Sequence, residues 1–437
     1  MKTALDNFFD LTGLKTNVKR EILAGFTTFI SMAYILFVNP EILGASGMGK
    51  GAVFTATALA SAIGCLLMGL LAKYPIATAP SLGINAFFAY SVCIGMNIPW
   101  QTTLAGVFVA SIIFLLITVF KLRELIIDAI PADLKAAISA GIGLFIAFIG
   151  LQGGGLIVAN KSTLVGLGSF SGSTWVTVFG LIVVSILMVM RVPGAIFIGM
   201  VLSAIFGIAT GNIQMPHAFV APAPSMDQTF LVALSHLKDI NTLQMWVVVI
   251  TFLLVTFFDT AGTLIALAQQ AGFLQNNKMP RVGKALMSDS TAMLFGSLFG
   301  TSPVGAYVES SAGIAVGGRS GLTAVTTGIC FILGLFFSPL LTVATSQVTA
   351  PALIIVGVLM AQSMARITWT KLEIAIPAFL TVAGMPLTYS ISDGLALGFI
   401  AYPITMIAAR KGKEVPALMY VLFFVFVIFF WVLNIEK

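Results

Sequence analysis

Residues 74–90 read YPIATAPSLGINAFFAY, and residues 300–313 read GTSPVGAYVESSAG. Each stretch lies in a long apolar tract, and each is interrupted. Pro75, Pro80 and Gly83 break the first; Gly300, Pro303 and Gly305 break the second. Proline and glycine weaken a helix interior. In hydrocarbon, every freed backbone N–H and C=O needs a partner within the protein. Two extended segments can meet that demand by satisfying each other. Each then ends at the start of a short half-helix near the membrane midplane, with unpaired N–H groups and a positive dipole end. Interrupted segments at matching positions of two halves point to a transporter site. The plainer alternative is a pair of kinked helices with no site.

Working outward, two lone carboxylates flank these breaks. Asp259, in FLLVTFFDTAGTL, is the only charged residue between Asp239 and Lys278. Glu309, in the second broken stretch, is alone between Asp289 and Arg319. A carboxylate within a bilayer costs about 2.5–3.5 kcal/mol on insertion scales. Such a group faces a protein interior or a water-filled path, and it marks a site for a substrate, an ion or a proton. No Lys or Arg lies in the same spans, which disfavours a structural ion pair. The bland reading is a protonated carboxyl bonded to a nearby carbonyl.

The composition sets the class. Of 437 residues, 59% are hydrophobic and 9% charged, with a mean hydropathy of +1.06. A soluble domain carries about 25% charged residues, so this reads as a polytopic membrane protein. Asp6, Asp10, Lys15, Lys19, Arg20 and Glu21 precede the first apolar run, which does not resemble a cleavable signal. Cys65, Cys93 and Cys330 all lie in apolar tracts, against a disulfide framework or metal cluster. No P-loop, HExxH, CxxC or GxSxG occurs, so ATP-driven pumping and intramembrane enzymology have no motif to stand on.

Fourteen spans are expected, at about 21–39, 52–72, 82–96, 101–120, 135–151, 175–190, 193–210, 244–270, 284–300, 305–317, 321–343, 351–365, 372–388 and 391–409. A further apolar run, 416–434, is either a fifteenth span or a helix along the bundle edge. With the N-terminus (1–20) in the cytoplasm, 18 of the 22 Lys and Arg fall on the inside, and only Lys50, Lys161 and Lys238 fall outside. Lys437 is the terminal remainder. That asymmetry obeys the positive-inside rule and accounts for the net charge of +6 without a nucleic-acid partner. The loop 211–243, with His217 and His236, is expected outside. It separates a first seven-span repeat (21–210) from a second (244–409), with 410–437 as a C-terminal segment. Two seven-span halves must be inverted relative to each other. Weak internal similarity agrees: GCLLMG precedes the first break and GSLFG the second.

Other polar residues have milder readings. Asn85 either binds a ligand or ties the broken backbone together, since an amide offers donors and an acceptor. Tyr307 and Phe87 either stack on a planar ligand or pack. Asp289 and Asp393 are expected to cap helices, and Glu41 sits at a span end.

The runs REILAGFTTFISMAYILFVNPEIL, GAVFTATALASAIG, APSLGINAFFAYSV, FFDTAGTL, GTSPVGAYVESSAGIAVGGRSGLTA and TAPALIIVGVLM resemble the AzgA-like purine permeases of the nucleobase–cation symporter 2 type. The pattern is most like that of bacterial guanine/hypoxanthine permeases, and it covers nearly the whole chain. The resemblance implies an all-α membrane protein with a fourteen-span, seven-plus-seven inverted repeat and short extended breaks in spans three and ten. It implies a core domain of spans 1–4 and 8–11 and a gate domain of spans 5–7 and 12–14. It also implies proton-coupled uptake by an elevator-like movement of the core. Asp259, Glu309 and Asn85 match the family's span-eight acid, span-ten acid and span-three asparagine. The chain departs from the family at Ser81, Leu82 and Ile84 (PSLGINAFF for PGMGLNAFF). It departs again at Pro303-Val304-Gly305-Ala306, where a Thr-rich run is usual. These departures bear on ligand preference.

The expected function is import of hypoxanthine and guanine with protons across a bacterial cytoplasmic membrane, with no cofactor; a homodimer is compatible with it. Glu309 and Asp259 are expected to hold the purine from two sides, with half-helix N–H groups such as that of Val308 completing the edge. At least one of the two acids exchanges the coupling proton. Alternatives are an adenine permease of the same fold and an anion transporter of related architecture. The latter calls for a cation near the breaks, and none lies within them.

Overall fold

The computed structural model describes residues 4–120, 130–273 and 279–435. Lys2, Lys121, Arg123, Lys278 and Lys437, counted above, lie outside them. Helices α1 (Ala4–Phe9), α2 (Val18–Met32), α3 (Ile35–Gly44) and α4 (Lys50–Leu67) open the chain. Strand β1 (Thr78–Pro80) follows, then α5 (Leu82–Ala86), continued by a π-helical stretch Phe87–Gly95. Next come α6 (Trp100–Val119), α7 (Ala132–Gly153), a hairpin of β2 (Ile157–Asn160) and β3 (Leu164–Leu167), α8 (Gly172–Val189) and α9 (Ala195–Ala209). After the loop and the short α10 (Val232–Ser235) stand α11 (Leu243–Gln270), α12 (Val282–Phe299), β4 (Val304–Ala306) and α13 (Ser310–Val316). The chain closes with α14 (Gly321–Gly334), α15 (Ser346–Ala361), α16 (Leu372–Thr388), α17 (Ile391–Ala408) and α18 (Ala417–Ile435).

Among the described residues, nine helical segments are long and apolar enough to cross a membrane, and four more apolar helices are shorter. Their outward residues are large and apolar, such as Ile182, Ile186, Phe379 and Ile404, as lipid-facing positions require. The helices pack in two sets. In one, α2, α3, α4, α6, α11, α12, α13 and α14 lie against one another; in the other, α7, α8, α9, α15, α16 and α17 do.

Between α4 and α5, and between α12 and α13, the chain is extended. β1 and β4 pair antiparallel, with Thr78 opposite Ala306, Ala79 opposite Gly305 and Pro80 opposite Val304. The pairing runs on at both ends. Ser81 N–H donates to Pro303 O (3.0 Å) and Tyr307 N–H to Ala77 O (3.0 Å). Beyond Ser81 the chain turns into α5, and beyond Tyr307 it leads through Glu309 into α13.

The loop after α9 is not loose. Thr55 Oγ1 donates to Pro224 O (2.8 Å), Thr229 Oγ1 to Phe299 O (2.9 Å) and Leu231 N–H to Leu298 O (2.7 Å). The loop therefore closes over the ends of α4 and α12. The run at 416–434 forms α18, with Phe426 stacked on Phe399 of α17 (5.5 Å between centroids). Its other face, with Val421, Phe424 and Trp431, is exposed. Asp289 corrects one expectation. It does not cap α12 but sits within it, fully buried. Asp393 does lie in a first turn, its N–H donating to the N-cap Ser390 Oγ (3.2 Å).

Candidate substrate site at the paired strands

Asp259 is the seventeenth residue of α11; at about 1.5 Å per residue this is ~24 Å from its start. The polar residues Thr256, Asp259, Thr260 and Thr263 recur at helical spacing and so share one face of α11. β4 passes against that face. A Cβ placed on Gly305 would lie 3.2 Å from Thr260 Oγ1 and 3.9 Å from Asp259 Oδ2. From the other strand's end, Ser81 Oγ donates to Asp259 Oδ2. Both strands thus converge on one carboxyl, which is half-buried.

Glu309 follows β4 and forms the N-cap of α13. It too is half-buried. Tyr34 Oη donates to Glu309 Oε1 at 2.5 Å. Tyr34 lies at the junction of α2 and α3 within the first long apolar segment, and it is completely buried. The two ion pairs seen among the described residues, Lys50–Glu41 and Lys411–Glu373, involve neither acid. Both site carboxyls are instead bonded to neutral hydroxyls.

The remaining expected residues separate into distinct roles. Asn85 is buried, and Ser302 Oγ donates to its Oδ1. Asn85 therefore joins α5 to the approach of β4, while its Nδ2 has no partner. Tyr307 is buried and its hydroxyl donates to Pro80 O at 2.7 Å, tying the end of one strand to the other. Val308 lies between Tyr307 and Glu309 with its side chain more than half exposed. Phe87 is fully buried, its ring edge-on to Phe252 at 4.9 Å. It offers no surface to a ligand in this conformation. An apolar cavity of about 490 Å³ lies elsewhere, walled by residues such as Phe37, Phe197 and Met215, and contains none of these groups.

Sequence reading missed Tyr34, Ser302, and Thr256 and Thr260 on the Asp259 face. It noted Ser81 only as a departure from a pattern. Tyr34 did leave a signal, since it is the only phenol in the first long apolar run. The hydroxyl partners left none, because Ser and Thr are common in membrane helices and only the fold shows which ones meet an acid.

The arrangement can accept hydrogen bonds from a planar, N–H-rich ligand. Two carboxyls, and an Asn85 amide nitrogen free to donate, lie around paired backbone segments, and a hydroxyl on each acid holds it in place. The permease family designated Xan_ur_permease matches residues 19–397. The chain is similar to the guanine/hypoxanthine permease PbuG of Bacillus subtilis (strain 168), at 54% identity over 98% of this chain and 99% of that one. It is 45% identical to the guanine/hypoxanthine permease PbuO of the same organism, over 97% and 100% of the two chains. Among solved structures, it resembles the transmembrane domain of a cyanobacterial bicarbonate transporter, BicA. That likeness has a TM-score of 0.61 and 16% identity, and covers 90% of this chain and 97% of that one. It shows the fold alone.

Proposed function

The chain belongs to the Xan_ur_permease family, a family of permeases and not of enzymes, and on that premise we propose that it imports hypoxanthine and guanine together with protons. The observation that carries this reading is the pair Asp259 and Glu309, set at the two ends of the strand pairing in a chain 54% identical to a guanine/hypoxanthine permease. A purine presents ring N–H groups and acceptors along a planar edge. A carboxylate accepts such N–H bonds, and charge-assisted ones are about twice as strong as neutral ones. Glu309 and Asp259 hold the ring from two sides. Asn85 Nδ2 and the Val308 N–H complete the recognition, and Tyr307 braces the strands. Phe87 stacks on the ligand only in a state that uncovers it.

Either acid can exchange the coupling proton. If their affinities for it are linked, the proton belongs to the pair rather than to one residue. In the transport cycle, the set of helices carrying the strands acts as a core that slides against the second set as a gate. The fourteen spans form two inverted repeats, with the N-terminus in the cytoplasm of a bacterial cell. The weak contacts between the two packing sets are compatible with that movement.

Uptake of labelled hypoxanthine in a purine-transport-deficient cell is expected to be concentrative and to collapse with a protonophore. Glu309→Gln and Asp259→Asn are each expected to abolish accumulation. Wild-type accumulation in both variants would remove these acids from the site. Competition by unlabelled guanine but not adenine separates this reading from an adenine permease; inhibition by adenine alone would overturn the assignment.

A further inference from the structure

Glu21 stands in the first turn of α2, fully buried, and the proposed transport chemistry does not use it. Its carboxyl accepts four hydrogen bonds. Arg319 N–H donates to Oε1 at 2.9 Å. Ser320 N–H (3.1 Å), Ser320 Oγ (2.7 Å) and Thr323 Oγ1 (2.6 Å) all donate to Oε2. Arg319 and Ser320 lie in the turn between α13 and α14, and Thr323 lies in the first turn of α14. The Arg319 guanidinium bonds back to Ile314 O of α13 (2.6 Å) and to Gly318 O in the turn (2.7 Å).

α13 has only seven residues, and a helix that short is not stable by itself. Its position must come from its neighbours. Both its ends are tied to the same first segment of the chain. Tyr34 holds Glu309 at the start, and Glu21 holds the turn after its end. Between them α13 lies flush on α2. A Cβ on Gly313 would come within 2.1 Å of Thr28 Oγ1 and 2.5 Å of Ala24 O. At Gly317, φ is +113°, which lets the chain turn sharply beside Arg20. The first segment of the chain, from Glu21 on α2 to Tyr34 just past its end, therefore works as a ruler along which α13 is clamped at two points.

We propose that Glu21 is a positioning residue for transport: by fixing the far end of α13 it sets where Glu309 sits. The proposal rests on the reading of Glu309 as a purine-binding acid. Glu21→Gln keeps the size of the side chain, but an amide nitrogen in place of Oε2 cannot accept its three bonds. Hypoxanthine binding to the purified full-length chain, by calorimetry, is expected to weaken about tenfold or more in Glu21→Gln. In proteoliposomes KM rises to match, while kcat per transporter stays within about twofold. A loss of fold alone would instead lower the number of active transporters without moving KM.

Wild-type affinity in Glu21→Gln, with binding lost in Glu309→Gln, overturns the positioning role and leaves the purine site standing. Wild-type affinity in Glu309→Gln overturns the purine site itself. Should Glu21→Gln fail to accumulate, Ser320→Ala combined with Thr323→Val removes two of the donors and leaves Glu21 in place. An unchanged KM in that variant also overturns the proposal.

Discussion

Tyr34 holds Glu309 through a phenol that is completely buried. A hydrogen bond to a charged group contributes about 1.5–3 kcal/mol, and stranding a buried partner costs a similar amount. Tyr34→Phe keeps the ring and deletes only the donor. Its expected effect is a rise in KM for hypoxanthine of about tenfold, or ~1.4 kcal/mol, with the amount of protein in the membrane unchanged. Measured uptake kinetics normalised to transporter abundance check this, and an unaltered KM would mean that the phenol does not act through Glu309. Ser81 makes the corresponding bond to Asp259. The two acids themselves were legible from the sequence, because a lone carboxyl in apolar surroundings is rare for an energetic reason. Their hydroxyl partners were not, since Tyr34 lies 275 residues from Glu309 along the chain and Ser81 lies 178 from Asp259.

Among the elements, the β1–β4 pair is the part of the fold on which the candidate site depends. It is three residues per strand, so it cannot be stable alone; it persists because the surrounding helices exclude lipid and water from it. Gly305 is where this strand pair meets α11. Adding one methyl brings a carbon to 3.2 Å from Thr260 Oγ1, a tight contact the hydroxyl can relieve by turning. Adding Val branches further into the space beside Asp259. Gly305→Ala is therefore expected to retain reduced uptake. Gly305→Val is expected to lose hypoxanthine binding, by calorimetry, with a normal elution profile on size exclusion. Binding in Gly305→Val equal to wild type would show that the space beside Asp259 is not where the ligand sits. Proline and glycine announced both breaks in the sequence. The register, with Ala79 opposite Gly305, could not be read there, because it depends on how the helices on either side dock.

For the whole molecule, the two packing sets meet through few contacts. One of them is polar: Ser346 Oγ at the start of α15 donates to Glu41 Oε1 (2.7 Å), while Lys50 pairs with the same carboxyl. The expected orientation follows from charge placement. A cysteine introduced as Lys161→Cys, in the loop with β2 and β3, is expected to react with an impermeant maleimide added to intact cells. Lys413→Cys, between α17 and α18, is expected to react only after the cells are opened. The reverse pattern would invert the topology. Of the native cysteines, Cys65 and Cys93 are buried, and the half-buried Cys330 is replaced by serine in both test proteins.

The sequence carries enough to place this chain in a bilayer, to locate its two breaks and to single out Asp259 and Glu309 as candidate site acids. These follow from the cost of placing charge and unpaired backbone in hydrocarbon, a cost that each residue incurs locally. The pairing of the breaks with each other, the bonds from Tyr34 and Ser81 to the acids, and the bonds to Glu21 from beyond the end of α13 appear only in the fold. Those facts depend on which distant segments come within hydrogen-bond reach, and close packing of whole helices, not the chemistry of any one residue, sets that reach.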